Sequence, residues 1–167
     1  MNGIADIALL PVSPELRDAL DDQVEFERTY AVALGEVAAL VREVVVAGED
    51  LRRRRGTPLE WGGFLAIDGR SNQVVGCCGF VAAPDAAGEV EIAYFTFPPF
   101  ERRGYATAMA QGLVALAISG GAARVVALTL PQSSTSTRIL TSLGFRQNGT
   151  ATDDEAGEVW RWELNAR

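Results

Sequence analysis

The sequence contains no histidine and no lysine, so all 15 of its basic residues are arginine. The missing imidazole excludes His-based triads and His-containing metal sites. The missing ε-amine excludes Schiff-base chemistry and any phosphate loop that depends on lysine. Cysteine is confined to the adjacent Cys77 and Cys78. Strand neighbours point to opposite faces, so no disulfide framework is expected, and both cysteines read as core residues in a strand. No apolar run approaches the ~18 residues needed to span a bilayer. The opening MNGIADIALLPV lacks a basic segment followed by an apolar one, so no signal peptide is read. These absences point to a soluble, cytoplasmic protein with no membrane partner and no metal.

Positive charge is scarce as well: 22 acidic residues against 15 arginines leave a net charge of −7. Nucleic-acid affinity comes mainly from neutralising phosphates, so nucleic acid is not an expected partner. A basic substrate such as an amine suits the field better. Hydrophobic residues make up 48% of 167 positions, enough for one domain, residues 1–167, with a real core.

Along the chain, residues 4–11 read as a first strand. Ser13-Pro14-Glu15 then supplies an N-cap, a proline at the first helical position and an acidic first turn. Leu34, Val37, Leu40, Val41, Val44 and Val45 follow at helical spacing, predicting a second helix that ends near Gly48. Residues 51–58, with Arg52 to Arg55, read as a loop. Residues 61–68, 73–81 and 88–97 read as three consecutive strands divided by turn formers. From Gly104 the period becomes helical, with Ala106, Met109, Ala110, Leu113, Leu116 and Ala117 on one face and Gly120-Gly121 as the stop. Residues 123–130 read as a buried strand and 133–142 as a short helix closed by Gly144. Residues 145–148 and 158–164 give the last strands, with Gly149 opening the connection between them. The order predicts an α/β fold with a mixed sheet of six or seven strands.

The decapeptide FERRGYATAM, residues 100–109, joins the third of those consecutive strands to the long helix. Pro98 and Pro99 force the chain out of the sheet just before it. The first turn of a helix carries unpartnered N–H groups and partial positive charge, which an anion satisfies. Gly104 has no side chain to block an approaching oxygen, Ala106 has only a methyl, and Arg102 and Arg103 add full charges. The pattern is not a dinucleotide-binding fingerprint, because no G-x-G-x-x-G occurs. An ordinary solvated strand-to-helix turn is the other reading of this fragment alone.

Two ordered segments, VEIAYFTFPPFERRGYATAMAQGLVALA and VVALTLPQSSTSTRILTSLGF, resemble the GNAT superfamily of acyl-CoA N-acyltransferases, closest to the branch that includes ribosomal-protein N-terminal acetyltransferases. ERRGYA is similar to the family's [QR]-x-x-G-x-[GA] phosphate loop at Gly104 and Ala106. The resemblance runs from about residue 61 to 164. It implies a sheet with a splayed central strand pair, flanked by about four helices, and acetyl-CoA as acyl donor. The pyrophosphate would rest on amides of Arg102, Arg103, Gly104, Tyr105, Ala106 and Thr107. The pantetheine arm would lie along Phe95, Thr96 and Phe97 like an added strand. The Phe95 N–H would polarise the thioester carbonyl, and Ser133 stands where the family usually has an asparagine.

Amide formation needs a neutral amine, and amines titrate at ~8 (α-amino) to ~10.4 (lysine), so a general base helps. Glu91 aligns with a glutamate that is the base in some members. It shares a strand face with Ala93, Phe95 and Phe97, an apolar setting that raises a carboxyl pKa. A solvated glutamate near the strand edge is the bland reading, and Glu89 is the substitute base. Many members carry tyrosine where this chain has Leu140, which has no proton to give. Ser136 is the replacement acid, although Ser133 or Ser136 can equally be a helix cap. Glu101 departs from the usual Gln or Arg, and it repels a pyrophosphate unless only its backbone faces the ligand. Arg52 to Arg55 read either as a solvated loop or as a site for a further phosphate or an acidic substrate. Trp160 and Trp162 read as one aromatic face of a core strand.

The resemblance thus implies an N-acetyltransferase acting on a primary amine, on a small molecule or a protein N-terminus, in a ternary complex. A non-catalytic acyl-CoA-binding module is the alternative that Glu101, Leu140 and Ser133 keep open. Homodimers are common in such folds, and the sequence leaves that state undecided.

Overall fold

The computed structural model describes residues 4–166; residues 1–3 and 167, included in the expected domain, lie outside it. One seven-stranded sheet organises the chain in the spatial order β1-β2-β3-β4-β5-β7-β6. Its strands are β1 (Ile7–Pro11), β2 (Gly63–Asp68), β3 (Val74–Phe80), β4 (Glu89–Thr96), β5 (Arg124–Thr129), β6 (Arg146–Asp153) and β7 (Gly157–Asn165). Every pairing is antiparallel except that of β4 with β5. The five helices are α1 (Pro14–Ala19), α2 (Gln23–Tyr30), α3 (Ala38–Arg55), α4 (Tyr105–Ser119) and α5 (Thr135–Ser142). They divide the core into two layers. Met109, Ala110, Leu113 and Ala117 of α4 pack with Leu140 of α5 against Val75, Val90 and Ile92. On the other face Val41 and Val45 of α3 pack with Leu16, Phe26, Leu65 and Phe97.

The helix starts follow their caps. The Ser13 hydroxyl accepts from Leu16 N at 3.1 Å and opens α1. The Asp22 carboxylate accepts from Glu25 N at 3.1 Å and opens α2, which adds a helix where only two were expected before β2. The largest difference is α3, which runs through Gly48 and takes in Arg52 to Arg55. One interior glycine costs only about 1 kcal/mol relative to alanine. Good helix formers follow it, and Glu49 ties the next turn together by bonding Arg52 at 2.6 Å and meeting Arg53 at 3.6 Å. The helix stops instead at Gly56, whose left-handed φ of 65° closes it.

Elsewhere the boundaries shift by a residue or two, and β6 extends well past 148 because Gly149 sits at a register shift inside the strand rather than opening the turn. Leu116 flanks the apolar stripe of α4 and is 42% exposed. Trp162 is buried and donates its Nε1–H to Thr129 Oγ1 at 3.0 Å, with Trp160 edge-on beside it, the core face expected of β7. Among the described residues, no helix is long and apolar enough to cross a membrane.

Candidate active site

The sheet opens at its centre. β4 and β5 run in register only over Glu89–Arg124, Val90–Val125 and Glu91–Val126, after which the two strands part although both continue. The rest of β4 therefore has backbone groups with no strand partner on its β5 side. The register with β3 fixes which ones. Val81 N–H donates to Glu91 O at 3.0 Å and Phe97 N–H donates to Val75 O at 2.9 Å. Hydrogen-bonded pairs alternate along an antiparallel ladder, so odd-numbered residues from 91 to 97 face β3 and even-numbered ones face the opening. Phe95 stands opposite Cys77 and Phe97 opposite Val75. The N–H groups presented to the opening are those of Tyr94 and Thr96.

This corrects two expectations. The Phe95 N–H is directed to β3, so it is not placed to polarise a group in the cleft. The Phe97 amide is committed to Val75, and its ring is fully buried in the α3 layer. Thr96, by its register, presents its N–H to the opening. The source of the error is parity: a one-residue slip in a strand exchanges every group between its two sides.

The even-numbered side chains point to the α4 face of the sheet, where Val90, Ile92 and Tyr94 join the core. The Tyr94 hydroxyl and Thr96 Oγ1 are buried and complete no hydrogen bond within the protein. Buried hydroxyls nearly always have a partner, so these two mark polar groups on the splayed strand that the fold leaves unsatisfied. Burial raises the Tyr94 phenol pKa and the nearby Ser136 hydroxyl opposes that rise. Tyr94 is the residue that sequence reasoning missed, because in VEIAY it reads as one more β-former. Leu140, by contrast, is fully buried core.

Past the 3-10 turn Pro98–Phe100, the chain takes a left-handed φ of 63° at Arg102 and 85° at Gly104. Gly104 is the N-cap of α4, and no side chain caps the helix there. The first-turn amides of Tyr105, Ala106 and Thr107 are therefore free for an anion. The alternating backbone hand beside them makes the concavity that anions occupy. Arg102 and Arg103 are exposed, with the Arg103 guanidinium 5.8 Å from the Phe100 ring centroid. The Tyr105 hydroxyl donates to Asp68 Oδ1 at 3.0 Å, anchoring this turn to β2. Glu101 is exposed to solvent.

Ser134, not Ser133 or Ser136, caps α5, in a reciprocal capping box with Thr137. That frees Ser136, the second residue of the helix, to stand beside Tyr94. Ser133 lies exposed in the preceding loop.

Glu91 is half-buried on the odd face of β4. Burial raises its pKa, Asp153 and Glu89 add to the rise, and Arg55 opposes it. Glu89 is committed elsewhere, 2.6 Å from Arg161 and 3.4 Å from Arg124, which removes it as the substitute base. Burial pushes the Cys77 thiol up to about 11 and raises Cys78 further, so neither is a ready nucleophile. Arg55 donates to Val81 O at 2.7 Å, at the end of the sheet away from Gly104. The arginine run is thus a helix terminus remote from the start of α4.

The same face holds a largely apolar cavity of about 310 Å³ between α3 and the sheet. Its floor includes Leu65, Cys77, Ala93 and Phe95, and its roof includes Val44, Val45 and Gly48.

The chain belongs to the family described as the acetyltransferase (GNAT) domain, whose model matches residues 19–146. No curated protein matches it significantly. Solved structures share the fold at low identity. A ribosomal-protein α-N-acetyltransferase, RimL, in complex with coenzyme A is 15% identical with a TM-score of 0.65, covering 99% of this chain and 96% of that one. A chimaera of the Vibrio cholerae spermidine N-acetyltransferase SpeG is 12% identical with a TM-score of 0.64, covering 96% and 95%. A GNAT-family acetyltransferase from Bacillus anthracis is 16% identical with a TM-score of 0.61, covering 97% and 96%.

Proposed function

We propose that the protein is an acetyl-CoA-dependent N-acetyltransferase that acetylates a primary amine by direct transfer, the whole chain acting as one domain. The observation that carries this reading is the opened β4–β5 pair, with two partnerless buried hydroxyls beside an uncapped helix. In this reading the amides from Arg102 to Thr107 hold the pyrophosphate. The Tyr94 and Thr96 N–H groups would bond the pantetheine arm and polarise the thioester carbonyl. When bound, acetyl-CoA supplies an activated acetyl group whose carbonyl carbon accepts the amine nitrogen as the C–S bond breaks. Glu91, with its raised pKa, takes the proton that the amine nitrogen loses. The Tyr94 hydroxyl, near Ser136, would give a proton to the departing sulfur, so that one proton leaves nitrogen and one arrives on sulfur. Holding both reactants in one cleft supplies the larger share, ~7–11 kcal/mol against ~10²–10⁴-fold for proton transfer.

Calorimetry with acetyl-CoA, followed by thiol release against a panel of primary amines, tests the proposal. Saturable binding and amine-dependent thiol release are expected. Absence of binding contradicts the cofactor site; tight binding with no release for any amine contradicts the enzyme.

A further inference from the structure

The roof of the cavity has a gap where its own pattern calls for a side chain. Val41, Val44, Val45, Gly48 and Arg52 recur at spacings of three and four along α3, the stripe that turns toward the sheet. Val41 and Val45 are buried in that stripe, whereas Gly48 is exposed and has nothing within 4 Å of the position its Cβ would take. No close neighbour demands a glycine there, no turn is made, and glycine is a poor choice inside a helix. What the missing side chain leaves is open space, and Gly48 lines the cavity.

The cavity also borders the strand that carries Glu91. Ala93 and Phe95 form part of its floor, on the same strand face as Glu91. Val81, at the cavity wall, donates its N–H to Glu91 O at 3.0 Å. Phe95 and Leu51, which also line it, are 44% and 40% exposed, so the space communicates with solvent. A volume of about 310 Å³ falls at the lower end of small-molecule sites, ~300–1,000 Å³. Its one lining carboxylate, Glu49, is bonded by Arg52 at 2.6 Å and met by Arg53 at 3.6 Å. That end therefore offers no free negative charge to a second cation.

We propose that this cavity is the acceptor pocket and takes a small primary monoamine with an uncharged apolar body, with Gly48 setting the length of that body. The inference rests on the acetyltransferase reading for the orientation of the amine toward Glu91, but its binding test stands apart from turnover.

The test titrates n-alkylamines from propyl to hexyl into the protein saturated with coenzyme A. It compares the wild type with Gly48→Ala and Gly48→Leu, and adds 1,6-diaminohexane as the dication. Each methylene buried should improve wild-type affinity about fourfold until the cavity is full. Hexylamine should bind more than tenfold better than the diamine, because the second ammonium has no partner. Gly48→Leu adds four carbons to the roof, so its series should level off roughly three to four methylenes sooner, with coenzyme A affinity unchanged. Gly48→Ala should fold at least as stably as the wild type and shift the plateau by about one methylene. A wild-type affinity that ignores chain length, a diamine that binds as well as hexylamine, or a folded Gly48→Leu with the full series intact would each overturn the proposal. Loss of coenzyme A binding in the wild type would instead contradict the acetyltransferase reading.

Discussion

The two sides of β4 work by different means. The even-numbered side offers backbone: free N–H groups at Tyr94 and Thr96, continued by the bare amides at the start of α4. The odd-numbered side offers space and one carboxylate, with Ala93 and Phe95 under the cavity and Glu91 at half burial. A backbone site accepts any ligand of the right local chemistry, which suits an invariant coenzyme. A side-chain cavity is set residue by residue, which suits an acceptor that differs among relatives of the same fold.

Substitutions should separate the two sides. Gly104→Glu is expected to have the largest effect. It forces a side chain into a φ of 85° and sets a carboxylate against the anion site. Like charges at such a contact cost several kcal/mol, on the order of a thousandfold in coenzyme A affinity by calorimetry, with the fold retained by circular dichroism.

Next comes Glu49→Ala, which strips a buried carboxylate from Arg52 and should cost about 3 kcal/mol in denaturant unfolding. Hydrogen bonding from Arg52 holds the Glu49 pKa below its ordinary value. Its contribution is therefore present above the unfolded carboxyl pKa, about 4.3, and is lost as pH falls through the folded one. The variant should show a flatter stability profile on the acid side, with coenzyme A affinity unchanged.

Glu91→Gln should lower turnover about a hundredfold while leaving coenzyme A affinity intact, and should remove the acid limb of the kcat/KM profile. The raised folded pKa of Glu91 means the native state holds its proton more tightly than the unfolded chain does. Stability therefore falls as pH rises from the unfolded pKa through the folded one, and the glutamine variant should melt slightly higher at neutral pH.

The smallest effect expected is that of Tyr94→Phe, about a tenfold loss in turnover. That loss should shrink with acyl donors whose leaving thiol is more acidic, because such a thiol needs less help from a proton.

The turn into α4 was legible in the sequence because its signals are local. Pro98-Pro99 ends a strand, Gly104 opens a helix, and both act through their own backbone. The seven strands were legible for the same reason, through alternation and turn residues. The length of α3 was not. Gly48 looks like a stop signal, and only the later pairs from Glu49 to Arg52 and Arg53 carry the helix past it. The N–H groups that face the opening were displaced by one residue from those expected, because a strand's hydrogen-bonding parity depends on its partner's register. Tyr94 and the cavity were invisible for a third reason: an orphaned hydroxyl and an unfilled space exist only once other elements have packed around them. The Ser134 cap shows the limit of local signals, since five hydroxyl residues in a row, Ser133 to Thr137, leave the choice of cap to the fold.

Backbone amide NMR shifts on titrating coenzyme A test the central claim most directly. Large perturbations are expected at Tyr94, Thr96 and the amides from Arg102 to Thr107, with the Phe95 and Phe97 amides protected from exchange in both states. Perturbations centred on Arg52 to Arg55, with the start of α4 unmoved, would contradict it.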